Sequence, residues 1–161
     1  MSGFLDGMPL AMATGRCWQS LLKTIPGFEP VPDERIVLVG AVDLDKAEEE
    51  AFAQSAITVV PPFDFNAGGA EAFEKSLLKL KQQVDSIYLH IDMDILDLDG
   101  VYANHLQISG GLQPDTLIKA IAFIKDYFTI AACTLASYDP ASDPKGRVAE
   151  IGIQLMRQVV E

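Results

Sequence analysis

The sequence predicts an α/β fold: a three-layer αβα arrangement built on a mainly parallel sheet of about four strands. Two observations carry that expectation. Short, continuous apolar runs rich in β-branched residues alternate with amphipathic stretches of helical period. Polar and acidic residues gather where the apolar runs stop, which is where parallel sheets place their sites.

The elements follow in order. Ser2 to Gly15 is apolar with three glycines and suits a turn leading into a short buried helix. Pro26, Gly27, Pro30 and Pro32 then impose a loop. Arg35 to Val42 reads as a buried strand, and Lys46 to Ser55 as a helix with Asp45 at its N-cap. Ile57 to Val60 is a second strand, stopped by Pro61 and Pro62. Ala70 to Gln83 is a helix carrying Phe73, Leu77, Leu78 and Leu80. Ser86 to Asp94 is the third strand, and Gln113 to Tyr127 a helix with Leu117, Ile118, Ile121 and Ile124 on one face. Phe128 to Ser137 is the fourth strand, and Val148 to Val160 the last helix. The order is βαβαβαβα, joined by right-handed crossovers with helices on both sheet faces. One domain spans 1–161, with an N-terminal helix and loop over 1–35 and the alternating unit over 36–161.

Composition narrows the function classes. Hydrophobic residues make up 49% and charged residues 22%, enough apolar surface for a core. The net charge of −11 argues against nucleic acid as a partner and fits a cation or small cationic ligand. No apolar run reaches the length of a membrane span, and no signal-peptide pattern opens the sequence. Cys17 and Cys133 are far apart and read as free thiols, which places the protein in the cytoplasm.

The segment Ser86-Ile-Tyr-Leu-His-Ile-Asp-Met-Asp-Ile-Leu-Asp97 is the most informative. A buried strand runs into Asp92, Asp94 and Asp97. Residues two apart on a strand share a side, so Asp92 and Asp94 would aim two hard oxygen ligands at one point. Buried carboxylates need a partner or a metal, and Mg²⁺ or Mn²⁺ suits such oxygens. A structural reading stands beside this one: Asp45, Asp97, Asp99 and Asp139 suit caps and turns. His90 shares the parity of the pair but lies about 6.6 Å deeper, and reads as a satisfied core histidine. His105 reads as a surface residue, Trp18 and Tyr88 as packing aromatics, and Gly110-Gly111 as a tight loop entry.

Four segments together resemble the C-terminal part of the ureohydrolases, the family of arginase, agmatinase and formiminoglutamase. Ser2-Gly-Phe-Leu-Asp-Gly-Met-Pro-Leu10 is similar to the family's Ser-Gly-x-x-His-Gly-Met/Gln-Pro segment. Val39-Gly-Ala-Val-Asp-Leu-Asp45 is similar to its Gly-x-Arg-Asp-x-Asp strand. Leu89-His-Ile-Asp-Met-Asp-Ile-Leu-Asp97 resembles Ser-x-Asp-x-Asp-x-x-Asp-Pro, the most specific of the four. Leu135-Ala-Ser-Tyr-Asp-Pro140 resembles the strand end reading Glu-x-x-Pro. The resemblance implies a truncated ureohydrolase fold. It implies hydrolysis of C–N bonds in guanidino or linear amidine compounds by two Mn²⁺ ions that activate a bridging hydroxide. It makes Asp92 and Asp94 metal ligands and puts Asp45 near the substrate's amino group.

The departures matter equally. The family's Gly-Gly-Asp-His and Asp-Ala-His-x-Asp ligand segments do not occur in this sequence. Asp6 stands for the family His, Ser137 for the substrate-binding Glu, Leu98 for the Pro, and Val42 for the Arg. The expectation is therefore an incomplete site, weak or absent Mn²⁺ binding, and no catalysis by this chain alone. In the family sheet a strand lies between the first and third strands found here. Without it these two must pair directly or a partner must fill the gap, and a homo-oligomer is expected. Two other functions fit less of the pattern. One is a non-catalytic interaction module derived from the same fold. The other is a Mg²⁺-dependent phosphatase of the haloacid dehalogenase type, whose motif prefers Thr or Val where Leu96 stands.

Overall fold

The computed structural model describes residues 7–67 and 69–161. Asp6, with most of the Ser2–Gly7 segment, lies outside the described residues. The order of elements is α1 (Pro9–Ala13), α2 (Gln19–Leu22), β1 (Val37–Val39), α3 (Lys46–Ala53), β2 (Thr58–Val60), α4 (Glu71–Lys81), β3 (Ser86–Asp92), α5 (Pro114–Tyr127), β4 (Thr129–Ala136) and α6 (Arg147–Val160). From β1 onward this is the expected βαβαβαβα alternation. The N-terminal part differs: α1 buries none of its residues, and α2 is an additional turn of helix entered through Trp18 at φ 53°. Trp18 and Tyr88 are exposed rather than packed.

Local chemistry sets the boundaries. Asp45 and Glu48 form a reciprocal capping box on α3, each side chain accepting from the other residue's N–H at 2.9 Å. Such a cap contributes about 1 kcal/mol. Pro114 starts α5, where a missing N–H costs nothing. In α6 the preceding residue is Gly146, which has no side chain to cap with. Asp143 replaces it, accepting from the N–H groups of Arg147, Val148 and Ala149 at 2.9, 2.9 and 3.1 Å.

All strand pairing is parallel. β1 pairs with β2 in the register Val37–Thr58 to Val39–Val60. β3 pairs with β4 from Ser86–Thr129 to Asp92–Ala136, with a register shift between Ile87 and Tyr88. Among the described residues the four strands thus form two hydrogen-bonded pairs, and β1 and β3 do not pair directly. The two pairs are joined by side chains instead: Val39 and Leu89 each pack against both hydrophobic clusters.

Helix α5 is the hub of those clusters. Leu117 and Ile121 join Ile91, Met93, Leu96, Leu112, Val148 and Leu155 in one. Ala120 and Ile124 join Val60, Phe73, Leu77, Leu80 and Phe128 in the other. The positions 117, 120, 121 and 124 are one helical stripe. Ile118, expected on that stripe, is only partly buried, and Leu78 of α4 is exposed because five positions from Phe73 is off the helix face.

One expectation is corrected by the packing. Ile87, Leu89 and Ile91 of β3 all face the clusters built by α4, α5 and α6. The alternate residues Ser86, Tyr88, His90 and Asp92 are exposed, as are Ala132 and Thr134 beside them on β4. Among the described residues the helices therefore cover one face of the β3–β4 pair and leave the other open. No helix among the described residues is long and apolar enough to cross a membrane.

Candidate functional site

The carboxyl ends of β3 and β4 carry a connected polar cluster. Asp92 closes β3, and the chain then enters a 3₁₀ turn over Met93–Ile95 that contains Asp94. The two-residue alternation stops at Asp92, so strand parity does not orient Asp94. Met93 is buried under the turn and packs against α6 at Gly152.

Two neutral side chains connect the acids. Ser137, just past β4, donates its hydroxyl to Asp92 Oδ1 at 2.5 Å. Asn104 donates its amide to Asp94 Oδ2 at 3.0 Å and to the Ser137 carbonyl at 2.8 Å. Ser137 sits at φ 58°, a conformation that costs an L-residue about 1–2 kcal/mol. Its hydroxyl and its carbonyl are both held by this network, which offsets the strain.

The Asn104 loop is locally built for the position. Asn104 Oδ1 accepts from the Leu106 N–H at 2.8 Å, an Asx-type turn. Ala103 is fully buried, donates to Gln107 Oε1 and accepts from the Asp139 N–H at 2.7 Å. Gln107 in turn donates to the Leu96 carbonyl. The loop is thereby tied to the ends of both strands. Nothing in the linear sequence singles out Asn104 or Gln107; an Asn in a loop is ordinary turn chemistry.

Along the open face of β3, Tyr88 Oη lies 3.2 Å from His90 Nδ1, and His90 Nε2 lies 3.5 Å from Asp92 Oδ2. His90 is thus a surface residue at 45% side-chain exposure, not a core histidine. Asp92 is 49% exposed, so its charge is hydrated and does not by itself require a cation. The order Ser137–Asp92–His90 also excludes a nucleophilic triad, in which the imidazole stands between hydroxyl and carboxylate.

The remaining acids have local roles. Asp45 is engaged with the N-terminus of its own helix. Asp97 accepts from the Gly110 N–H at 3.1 Å, and Asp139 from the Ala141 N–H at 3.0 Å. Asp143 is buried at 4% exposure. Desolvation pushes its pKa up, but the donors from Ala149, Arg147, Tyr138 and Val148 outweigh it and hold the carboxyl below its ordinary range. The end of β1 adjoins this region, since a Cβ on Gly40 would come within 2.6 Å of Ile95 Cδ1.

The described residues by themselves do not complete a two-manganese centre. Among the described residues no three His, Cys, Asp or Glu side chains gather closely enough to hold an ion. Asp92 and Asp94 instead accept bonds from neutral donors. A concavity of about 490 Å³, lined by Met93, Leu135, Tyr138, Ile153 and Met156 among others, is an apolar groove between β4 and α6, and neither acid lines it.

Comparison with known proteins places this geometry. An arginase of Staphylococcus aureus is 29% identical over 157 residues, covering 96% of this chain and 51% of that protein. An arginase of Bacillus caldovelox is 26% identical over 157 residues, covering 96% and 52%. The crystal structure of an arginase from Bacillus subtilis superposes with a TM-score of 0.87 at 25% identity, covering 99% of this chain and 57% of that one. The chain spans about half the length of the curated relatives it matches. The family model described as the arginase family matches residues 1–161. The chain belongs to the arginase family.

Proposed function

We propose that this chain carries the acidic strand-end part of a ureohydrolase-type site, one that hydrolyses a C–N bond in a guanidino or linear amidine compound with manganese. The observation that carries the proposal is the placement of Asp92 and Asp94 at the carboxyl end of a parallel strand, in a chain that belongs to the arginase family. Two carboxylates are an incomplete ligand set for activating water on a metal pair. The 161 residues by themselves are therefore proposed not to turn over substrate. Asp45, whose carboxylate is engaged in its helix cap, is proposed to contact substrate only where that cap opens.

The test is release of urea from arginine or agmatine, and of formamide from formiminoglutamate, by the purified chain with excess Mn²⁺. No product above the enzyme-free rate is expected. Manganese-dependent turnover that disappears in Asp92→Asn would overturn the claim of inactivity.

We also propose self-association. β4 is an eight-residue strand without a single charged side chain, and among the described residues it is paired on one side only. Such an edge attracts further strands. The exposed Ile153 and Val160 beside the apolar groove add to it. Sedimentation should show species larger than 17.5 kDa. A single monomer boundary at tens of micromolar would exclude this.

A further inference from the structure

We infer that Ser137 and Asn104 hold the Asp92–Asp94 pair in a hydrogen-bonded clasp that ties the ends of β3 and β4 to the 103–107 loop, so that these 161 residues by themselves hold no Mn²⁺ and the clasp must open for the pair to serve the proposed site. The inference rests on the bonds themselves and does not depend on the proposed substrate. Ser137 Oγ takes Asp92 Oδ1 across 45 residues of sequence. Asn104 takes Asp94 Oδ2 with the same amide nitrogen that reaches the Ser137 carbonyl. The Asp139 N–H to Ala103 carbonyl bond at 2.7 Å and the Gln107 to Leu96 bond fasten the loop on either side. Three segments remote in sequence thus meet through a hydroxyl and an amide.

The chemistry of the donors decides between clasp and cage. A divalent ion binds carboxylate oxygens that are not already committed, and it gains from several anionic or imidazole ligands converging. Here Asp92 Oδ1 accepts from a hydroxyl and Asp94 Oδ2 from an amide, with the His90 imidazole 3.5 Å from Asp92 Oδ2, and no group of three metal-ligating side chains gathers among the described residues. The left-handed Ser137 points the same way, because its hydroxyl reaches Asp92 from that conformation and its carbonyl is held by Asn104.

A double-mutant cycle on the full chain tests the clasp. Asp92→Ala and Ser137→Ala are made singly and together, and folding equilibria are read from urea titrations. A clasp predicts that each single change lowers the folding constant roughly tenfold, and that the double change costs little more than one of them. Additive losses would overturn it. Asp92→Asn, which keeps an oxygen to accept from Ser137, is the variant to use if Asp92→Ala does not fold. It should retain the folding constant within about threefold, and a loss as large as that of Ser137→Ala would count against the clasp. In parallel, electron paramagnetic resonance of Mn²⁺ alone reports free ion directly. The clasp predicts an undiminished free-ion signal at submillimolar protein. Micromolar binding that is lost in Asp92→Asn would overturn it.

Discussion

Replacing Phe73 by alanine is expected to destabilise the fold by about 3–5 kcal/mol, the usual cost of removing a buried aromatic. Phe73 is 1% exposed and sits where three segments meet. Its ring stacks on Phe63 with centroids 4.9 Å apart and an angle of 24°. Phe65 meets it edge-on at 6.1 Å, and Phe123 of α5 lies 5.8 Å away. Truncation would remove the residue that holds α4, α5 and the loop after β2 together. The flanking rings belong to different elements and cannot collapse into the void without moving the backbone. In a chain of this length the loss corresponds to a fall in Tm of roughly 10 °C. Phe73→Leu should lose less, because it leaves the smaller cavity. A thermal shift below 2 °C for the alanine variant would show that the aromatic cluster is not a unit of stability.

The second large effect is expected at Gly111. A Cβ at this position would lie 2.0 Å from the Ile95 carbonyl oxygen and 2.9 Å from its carbon. That contact is with backbone, so no rotamer change relieves it. It also falls beside the bonds that dock the loop on the site: Leu112 N–H to the Ile95 carbonyl at 2.7 Å and Asp97 N–H to the Leu112 carbonyl at 2.9 Å. Both must open if Gly111 becomes alanine, and Leu96 and Leu112, each 1% exposed, lose packing with them. We expect about 2–4 kcal/mol in urea unfolding, the sum of two hydrogen bonds and a local overpacking cost. Amide chemical shifts of Asp94 and Ile95 should move as well, since the 3₁₀ turn carries the strain. A variant with wild-type stability and unmoved shifts would show that the turn and the loop adapt freely.

The two sites differ in how they are written in the sequence. Phe73 is legible: it lies on an apolar stripe with Leu77 and Leu80, and a helix of that period buries its stripe wherever it packs. Gly111 is half legible. A glycine pair before a helix announces a turn, but the closeness of the Ile95 backbone depends on where β3 ends. Asn104 is not legible, because its partners at Asp94 and Ser137 are set by two strand ends and a loop that meet only after folding.

The burial of the acids shows the same division. A continuous apolar run reads as a strand covered on both faces. In the structure α4, α5 and α6 cover one face of β3 and β4, and Tyr88, His90 and Asp92 stand on the open one. Asp92 therefore closes its strand half-exposed and hydrated, and needs no cation to offset burial. Asp45 shows the converse. Its cap with Glu48 is a local pattern, visible in the spacing and present in the structure.

What the sequence determined by itself was the alternation of strands and helices, the Asp45 cap of α3, the acidic strand end and the family. These depend on periodicity and on contacts within a few residues, or on motifs read in order. What the tertiary structure alone decided was the division of four strands into two parallel pairs, the bare face of β3, and the bonding of Asp92 to Ser137 and of Asp94 to Asn104. Strand order and helix placement are settled by long-range burial, and a carboxylate takes whichever donor that burial brings within reach.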